Sequence, residues 1–127
     1  MKKYYVNVNS KGTAHWFKDA ERSILHREDG PAIEWGDGTK GWYTNGKPHR
    51  EDGPAIEYAN GTKQWWVNGK LHREDGPAIE WANGSKEWYI DGKELTEEEF
   101  LSRTQPAEEL TVAQIEQLLG KRIKVIK

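Results

Sequence analysis

The chain has 127 residues, seven of them tryptophan, which suits one modest domain with a thin aromatic core and excludes a thick aliphatic interior. A formal net charge of −2 excludes a strongly basic surface, so we expect no binding of double-stranded nucleic acid. The absence of cysteine excludes disulfides and thiolate metal sites. The beginning, MKKYYVNVNS, has no apolar run, so we expect no secretory signal, no membrane contact and a cytoplasmic location.

A repeat of 23 residues dominates the chain. The phrase HREDGPAIEW begins at His26, returns with one change at His49, and appears again at His72. Before it, KGTAHWF keeps the glycine and the aromatic pair of DGTKGWY, and therefore belongs to a worn copy. The predicted organisation is a repeat array over 1–95, made of a worn copy (4–25) and three full units (26–48, 49–71 and 72–95), followed by a helical cap over 96–127 that ends in a short strand.

Each unit contains two turn signals. The first is GDGT, ANGT or ANGS, and the second is TNGK, VNGK or IDGK. Asn-Gly and Asp-Gly tolerate a positive φ at both central positions, as a type I′ hairpin turn requires. The segments between the turns are short and rich in β-forming residues, which is typical of strands. The sequence therefore predicts a mainly β fold, an antiparallel meander of β-hairpins.

The turns also predict a register. A two-residue loop at 68–69 places Trp65 opposite His72, and a two-residue loop at 60–61 places Ile56 opposite Trp65. Successive side chains of a strand point to opposite faces of the sheet. The predicted packed face of the middle unit carries Ile56, Tyr58, Trp65, Val67 and His72, and the second face carries Ala55, Glu57, Trp66 and Leu71.

The unit resembles a known repeat family. It reads Trp-Tyr-x-Asn-Gly-Lys-x-His, then Gly-Pro-Ala, then a strand and Asn-Gly, and it resembles the MORN repeat over about Lys11–Lys93. HREDGP stands where family units have His-Gly-x-Gly, so the chain is similar to a divergent branch. With its TVAQIEQLLGKRIKVI tail, the layout resembles small accessory proteins of tailed bacteriophages. That resemblance implies action in the host cell cytoplasm, as an inhibitor of host antiviral defence that binds an immune protein or sequesters a nucleotide immune signal.

The C-terminal segment departs from the repeat. Thr96 with Glu99, and Thr111 with Gln114, have the spacing of a capping box, which begins helices. Repeat arrays need a cap over their last open unit. The predicted elements are helices over Glu97–Arg103 and Val112–Leu119 and a short strand at 122–126.

The histidines of the repeats could act as bases or metal ligands, but the register places each beside a tryptophan as an aromatic neighbour. Equivalent residues of successive units stand ~10 Å apart, two strand spacings, which is too far to share a metal ion. A catalytic centre needs one asymmetric set of acid, base and stabiliser, whereas these groups occur three times. We therefore expect a protein that is not an enzyme and needs no metal or cofactor.

The charges of HRED have two interpretations. In the structural one, Asp bonds its own turn and Arg pairs with a glutamate of the neighbouring unit. In the functional one, Arg and aromatic side chains form a contact surface, since both are common in binding hot spots. The partner would be a host or cognate protein or a small anionic nucleotide, homo-oligomers could form through sheet edges, and the alternative function is an antitoxin-like or scaffolding protein that binds a cognate partner. The candidate binding residues are Tyr43, Trp66, Tyr89, Arg27, Arg50, Arg73 and Glu57.

Overall fold

The computed structural model describes residues 3–104 and 111–114, and the described chain is mainly β-structure, as predicted. One short helix, α1, spans Glu97–Thr104. The strands are β1 (Tyr5–Val8), β2 (Ala14–Phe17), β3 (Ile33–Glu34), β4 (Lys40–Gly41), β5 (Tyr43–Thr44), β6 (Lys47–Pro48), β7 (Ile56–Glu57), β8 (Lys63–Gln64), β9 (Trp66–Val67), β10 (Lys70–Leu71), β11 (Ile79–Glu80), β12 (Lys86–Ile90) and β13 (Lys93–Leu95).

Nine of these strands form one antiparallel sheet in the order β1-β2-β3-β4-β7-β8-β11-β12-β13, which follows the chain. Two short hairpins, β5–β6 and β9–β10, leave the sheet between its strands. They leave where a tryptophan interrupts the strand: the backbone N–H of Trp42 donates to the carbonyl of Ala55 at 2.6 Å, and Trp65 donates to Ala78 at 2.7 Å. Each of these two units therefore adds two strands to the sheet and one hairpin beside it.

The second turn of each unit is the predicted type I′ turn. Asn68 and Gly69 have φ values of 50° and 79°, so both central residues are left-handed. Val67 consequently pairs with Lys70, and the N–H of His72 donates to the carbonyl of Trp65. This part of the predicted register is confirmed. The equivalent turns are Asn45-Gly46 and Asp91-Gly92, which also have two positive φ values each.

The first turn of each unit differs from the prediction. The N–H of Tyr58 donates to the carbonyl of Thr62, which encloses a loop of three residues, and Gly61 supplies its one left-handed residue with φ 95°. Ile56 therefore pairs with Gln64, and the predicted pairing with Trp65 is wrong. The reason is that a type I turn followed by a left-handed glycine also ends in Asn-Gly, but it holds one residue more than a type I′ loop.

This extra residue also overturns the predicted sorting of side chains, because a shift of one residue exchanges the two faces of a strand. Ile56 and Tyr58 line a groove together with Tyr43, which is the equivalent of Trp66. Glu57 approaches Arg50 on the opposite face. The apolar side of the sheet is therefore the side of the second aromatic residue in each Trp-Tyr or Trp-Trp pair.

The core is a single thin layer that repeats along the sheet. In each full unit it contains the alanine and the isoleucine of PAIE, both buried. Buried threonines connect successive units: the Oγ1 atom of Thr39 accepts the N–H of Ala59, and that of Thr62 accepts the N–H of Ala82, both at 3.0 Å. The buried residues that recur from unit to unit are Ala32, Ile33, Ala55, Ile56, Ala78 and Ile79, with Thr13, Thr39 and Thr62.

Helix α1 covers the end of the array. It begins at the predicted capping box, in which the N–H of Glu99 donates to Thr96 Oγ1 at 3.1 Å and the N–H of Thr96 donates to Glu99 Oε1 at 3.0 Å. The helix contacts β12 and β13, and it buries Phe100 near Leu95, which is also buried. The first predicted helix is confirmed, and it lies against the last hairpin.

The second predicted helix begins within the described residues. Thr111 and Gln114 form the expected reciprocal bonds, and 112–114 are helical. The remainder of that helix, and the predicted strand at 122–126, lie outside the described residues. Within the described residues, no helix is long and apolar enough to cross a membrane.

Candidate binding surfaces

Each repeat holds its arginine in the same arrangement, which we call the arginine clamp. The guanidinium of Arg50 lies 3.8 Å from the centre of the Trp42 ring. Its Nε donates to Asp52 Oδ1 at 3.0 Å, and a terminal nitrogen donates to the carbonyl of Pro54 at 3.0 Å. The same contacts join Arg27 to Trp16, Asp29 and Pro31, and Arg73 to Trp65, Asp75 and Pro77.

The arginine clamps account for the Arg and the Asp of each HRED segment, because these two side chains bond each other. A further glutamate approaches the guanidinium: Glu80 accepts from Arg73 at 2.8 Å, and Glu57 lies 3.9 Å from Arg50. Both glutamates belong to the same unit as their arginine, so the predicted pairing with a neighbouring unit is wrong. Nε and one terminal nitrogen of each guanidinium thus serve internal acceptors, which reduces the number of donors that an external anion could use.

The histidines also have structural partners. The Nδ1 atom of His49 accepts the N–H of Asn68 at 3.0 Å, and the N–H of His49 donates to the carbonyl of Trp42. Its Nε2 lies 3.7 Å from Glu51. His26 and His72 repeat this pattern. The predicted position beside a tryptophan is confirmed, and each ring connects the corner of its unit to the second turn of the same unit. Within the described residues, no group of three side chains could hold a metal ion.

Two equivalent grooves separate successive corners, with volumes of about 790 and 730 Å³. Two arginines and four carboxylates line each of them. The fixed charges of each groove therefore sum to a negative value. A negatively charged nucleotide would meet net repulsion there, so this geometry disfavours the anionic ligand among the predicted partners.

The other side of the sheet carries a continuous set of aromatic side chains, which we call the aromatic face. Two of them, Tyr58 and Trp81, are 41% exposed, and the others are partly buried over the isoleucine layer. These side chains form two rows. The first row consists of the aromatic residue that ends each PAIEW or PAIEY segment, and the second row consists of the second residue of each Trp-Tyr or Trp-Trp pair. The face consists of Trp35, Tyr58 and Trp81 in the first row and Tyr43, Trp66 and Tyr89 in the second.

Acidic and amide side chains fix several of these rings. The indole N–H of Trp66 donates to Gln64 Oε1 at 3.0 Å, and the indole N–H of Trp81 donates to Glu87. That bond from Trp81 is the main reason why the pKa of Glu87 lies below its ordinary value. Tyr89 contacts both Glu87 and Glu94, and burial together with these carboxylates raises the pKa of Tyr89. Burial and the neighbouring Tyr58 raise the pKa of Tyr43.

The structure separates the candidate residues into two groups. Tyr43, Trp66 and Tyr89 lie on the aromatic face, whereas Arg27, Arg50, Arg73 and Glu57 lie on the opposite side. The candidate binding residues predicted from the sequence did not include the first row of the aromatic face, although an aromatic residue ends the PAIEW or PAIEY segment of every full unit. No protein-family model, curated protein or solved structure matches the chain. The MORN-like resemblance and the phage origin therefore stay predictions.

Proposed function

We propose that the chain is a non-catalytic binding protein that receives a protein partner on its aromatic face. The observation that supports this most strongly is the exposure of Tyr58 and Trp81 at 41% each, on a sheet side that no second layer covers within the described residues. Contiguous exposed apolar surface is typical of interaction sites, and Trp and Tyr dominate the energy of such interfaces.

A protein partner suits this geometry better than a nucleotide does. The arginines that would pair with phosphate are held in the clamps, and the grooves beside them carry excess negative charge. The aromatic face offers broad apolar area with polar groups at its margin, which is the composition of a protein interface.

The phage resemblance gives the proposal its specific form. In that form, the protein acts in the host cytoplasm and inhibits antiviral defence by binding an immune protein. The alternative is an antitoxin-like or scaffolding role, in which the partner is a protein of the same genome. Pairing of copies through the sheet edges β1 and β13 stays a further prediction.

The test is affinity capture with a double variant of the aromatic face and a control variant. Tagged wild-type protein and a Tyr58→Ala Trp81→Ala variant are incubated with lysates of uninfected and infected host cells, and bound proteins and small molecules are identified by mass spectrometry. We expect a protein that binds the wild type and a Val8→Ala control, since Val8 is exposed on edge strand β1, but not the aromatic variant.

The two forms of the proposal differ in the source of the captured protein. A partner present in uninfected lysate supports the inhibitor, and one found only in infected lysate supports the cognate-partner alternative. Capture that is unchanged in the aromatic variant, while circular dichroism shows a folded chain, would contradict the aromatic face as the binding surface.

A further inference from the structure

The first full unit differs from the other two on the aromatic face. Two of the substitutions that distinguish it lie beside the same groove, one in the first turn and one in the strand that follows. They lie four residues apart in the chain and flank the same pair of rings. Asp37 corresponds to Asn60 and Asn83, and Gly41 corresponds to Gln64 and Glu87.

Gly41 brings two rings together. A Cβ atom at this position would stand 2.9 Å from Tyr43 Cε1 and 3.5 Å from Trp35 Cζ3, so both rings approach the bare backbone of the strand. In the middle unit, the side chain of Gln64 bonds the indole of Trp66 instead. The first unit therefore presents two aromatic rings with no polar side chain between them.

A groove of about 390 Å³ opens beside these rings. Its walls include three aromatic rings, those of Trp35, Tyr43 and Tyr58, with Ile56 at its apolar side. The remaining lining residues are Asp37 and Thr39.

The charge of Asp37 is not needed by the turn. Asp37 Oδ1 accepts the N–H of Thr39 at 2.9 Å, and Asn60 Oδ1 accepts the N–H of Thr62 at the same distance. A neutral amide thus caps the same turn in the next unit equally well. The hydrogen bonds from Thr39 lower the pKa of Asp37, so it is ionised at neutral pH. Among the described residues, no lysine or arginine forms an ion pair with it.

We propose that this groove binds an alkylammonium group, the chemistry shared by a lysine-type side chain and a small quaternary amine. Aromatic ring faces attract such cations electrostatically, and an adjacent carboxylate adds charge without requiring a strongly hydrated ligand. The inference rests on the proposed function and deepens it, because it names the chemical group that the aromatic face would recognise in its partner.

The test is a titration of the full chain with choline, followed by the indole N–H signals in NMR spectra. The control ligand is 3,3-dimethylbutan-1-ol, in which a neutral carbon replaces the charged nitrogen. We expect choline to shift the Trp35 signal saturably, and the neutral ligand to bind about threefold to thirtyfold more weakly, as loss of a cation–π contact implies.

The repeat itself supplies matched variants. Asp37→Asn introduces the residue of both other units, whereas Gly41→Gln and Trp35→Tyr introduce the residues of the middle unit, Gln64 and Tyr58. Asp37→Asn should weaken choline binding about twofold to fivefold, as expected for an exposed charge. Gly41→Gln should fill the space between the rings and weaken binding by roughly tenfold. Trp35→Tyr lacks the Trp35 indole signal, so its titration is followed by the backbone N–H signal of Gly41, and its binding should stay within about threefold of the wild type.

Equal binding of choline and its neutral analogue would overturn the inference, and so would unchanged choline binding in both Asp37→Asn and Gly41→Gln. A peptide that contains trimethyl-lysine distinguishes the two sources: binding about tenfold tighter than choline supports a protein side chain, and equal binding supports a free amine. The titration needs no partner. Its failure would therefore leave the captured protein, and with it the proposed function, unaffected.

Discussion

Replacement of Arg50 by alanine tests whether the arginine clamp holds the fold or serves a ligand. The change removes the stacking on Trp42, the bond to the carbonyl of Pro54 and the pair with Asp52. A cation–π contact contributes about 0.5–1 kcal/mol, a hydrogen bond from a charged group about 1.5–3 kcal/mol, and an exposed ion pair less than about 1 kcal/mol. The free energy of unfolding should therefore fall by about 3 kcal/mol.

Urea unfolding followed by tryptophan fluorescence measures this loss. For a chain of this size, the same change should lower the melting temperature by about 10 °C. Arg50→Lys keeps the charge but lacks the planar group that stacks and bonds at once, so it should lose most of the same stability. Glu51→Ala is the control. Its side chain is 86% exposed, and removal should change stability by less than about 0.5 kcal/mol.

A loss of stability in Arg50→Ala no larger than that in Glu51→Ala would contradict a structural role for the arginine clamp. That result would mean that the internal contacts of Arg50 contribute nothing measurable, and that the guanidinium is available for an external anion. The functional interpretation of the repeated arginines, including a nucleotide ligand, would then regain its basis.

Three further outcomes are expected. Phe100→Ala should lower the free energy of unfolding by about 3–4 kcal/mol in thermal melts, because the ring is 3% exposed; a loss below 1 kcal/mol would show that α1 is not part of the fold. Thr62→Val should cost about 1–3 kcal/mol in urea, since it leaves a turn N–H without its acceptor, whereas Ser85→Ala, exposed in the last unit, should be nearly neutral. Glu87 has a lowered pKa in the folded chain, so its contribution is complete above its ordinary value of 4.5 and is lost as the pH falls through the lowered pKa; urea midpoints of Glu87→Gln should vary less with pH below about 4.5 than those of the wild type.

The sequence alone determined the local structure at three kinds of position. The turn signals and the short β-rich segments between them predicted hairpins, and Asn68-Gly69 predicted a type I′ turn, because few dipeptides tolerate two successive left-handed residues. Thr96 with Glu99 predicted the beginning of α1, since a capping box satisfies otherwise unbonded N–H groups. All of these features depend on residues within a few positions of each other, so their physical causes are visible in the printed chain.

Only the tertiary structure decided which face each side chain occupies. Asn60-Gly61 is compatible with loops of two or three residues, and the structure has the longer loop, in which the hydroxyl of the buried Thr62 bonds the next unit. That choice shifts the register by one residue and places Ile56 beneath the aromatic face.

The role of the repeated arginines was likewise decided by packing. Arg50 follows His49, which the predicted register places opposite Trp42, but the register does not predict that the guanidinium stacks on the Trp42 ring and bonds the carbonyl of Pro54. A charge pattern in sequence shows that charges recur. Whether they face solvent or an internal partner depends on contacts between units, and these exist only after the sheet has formed.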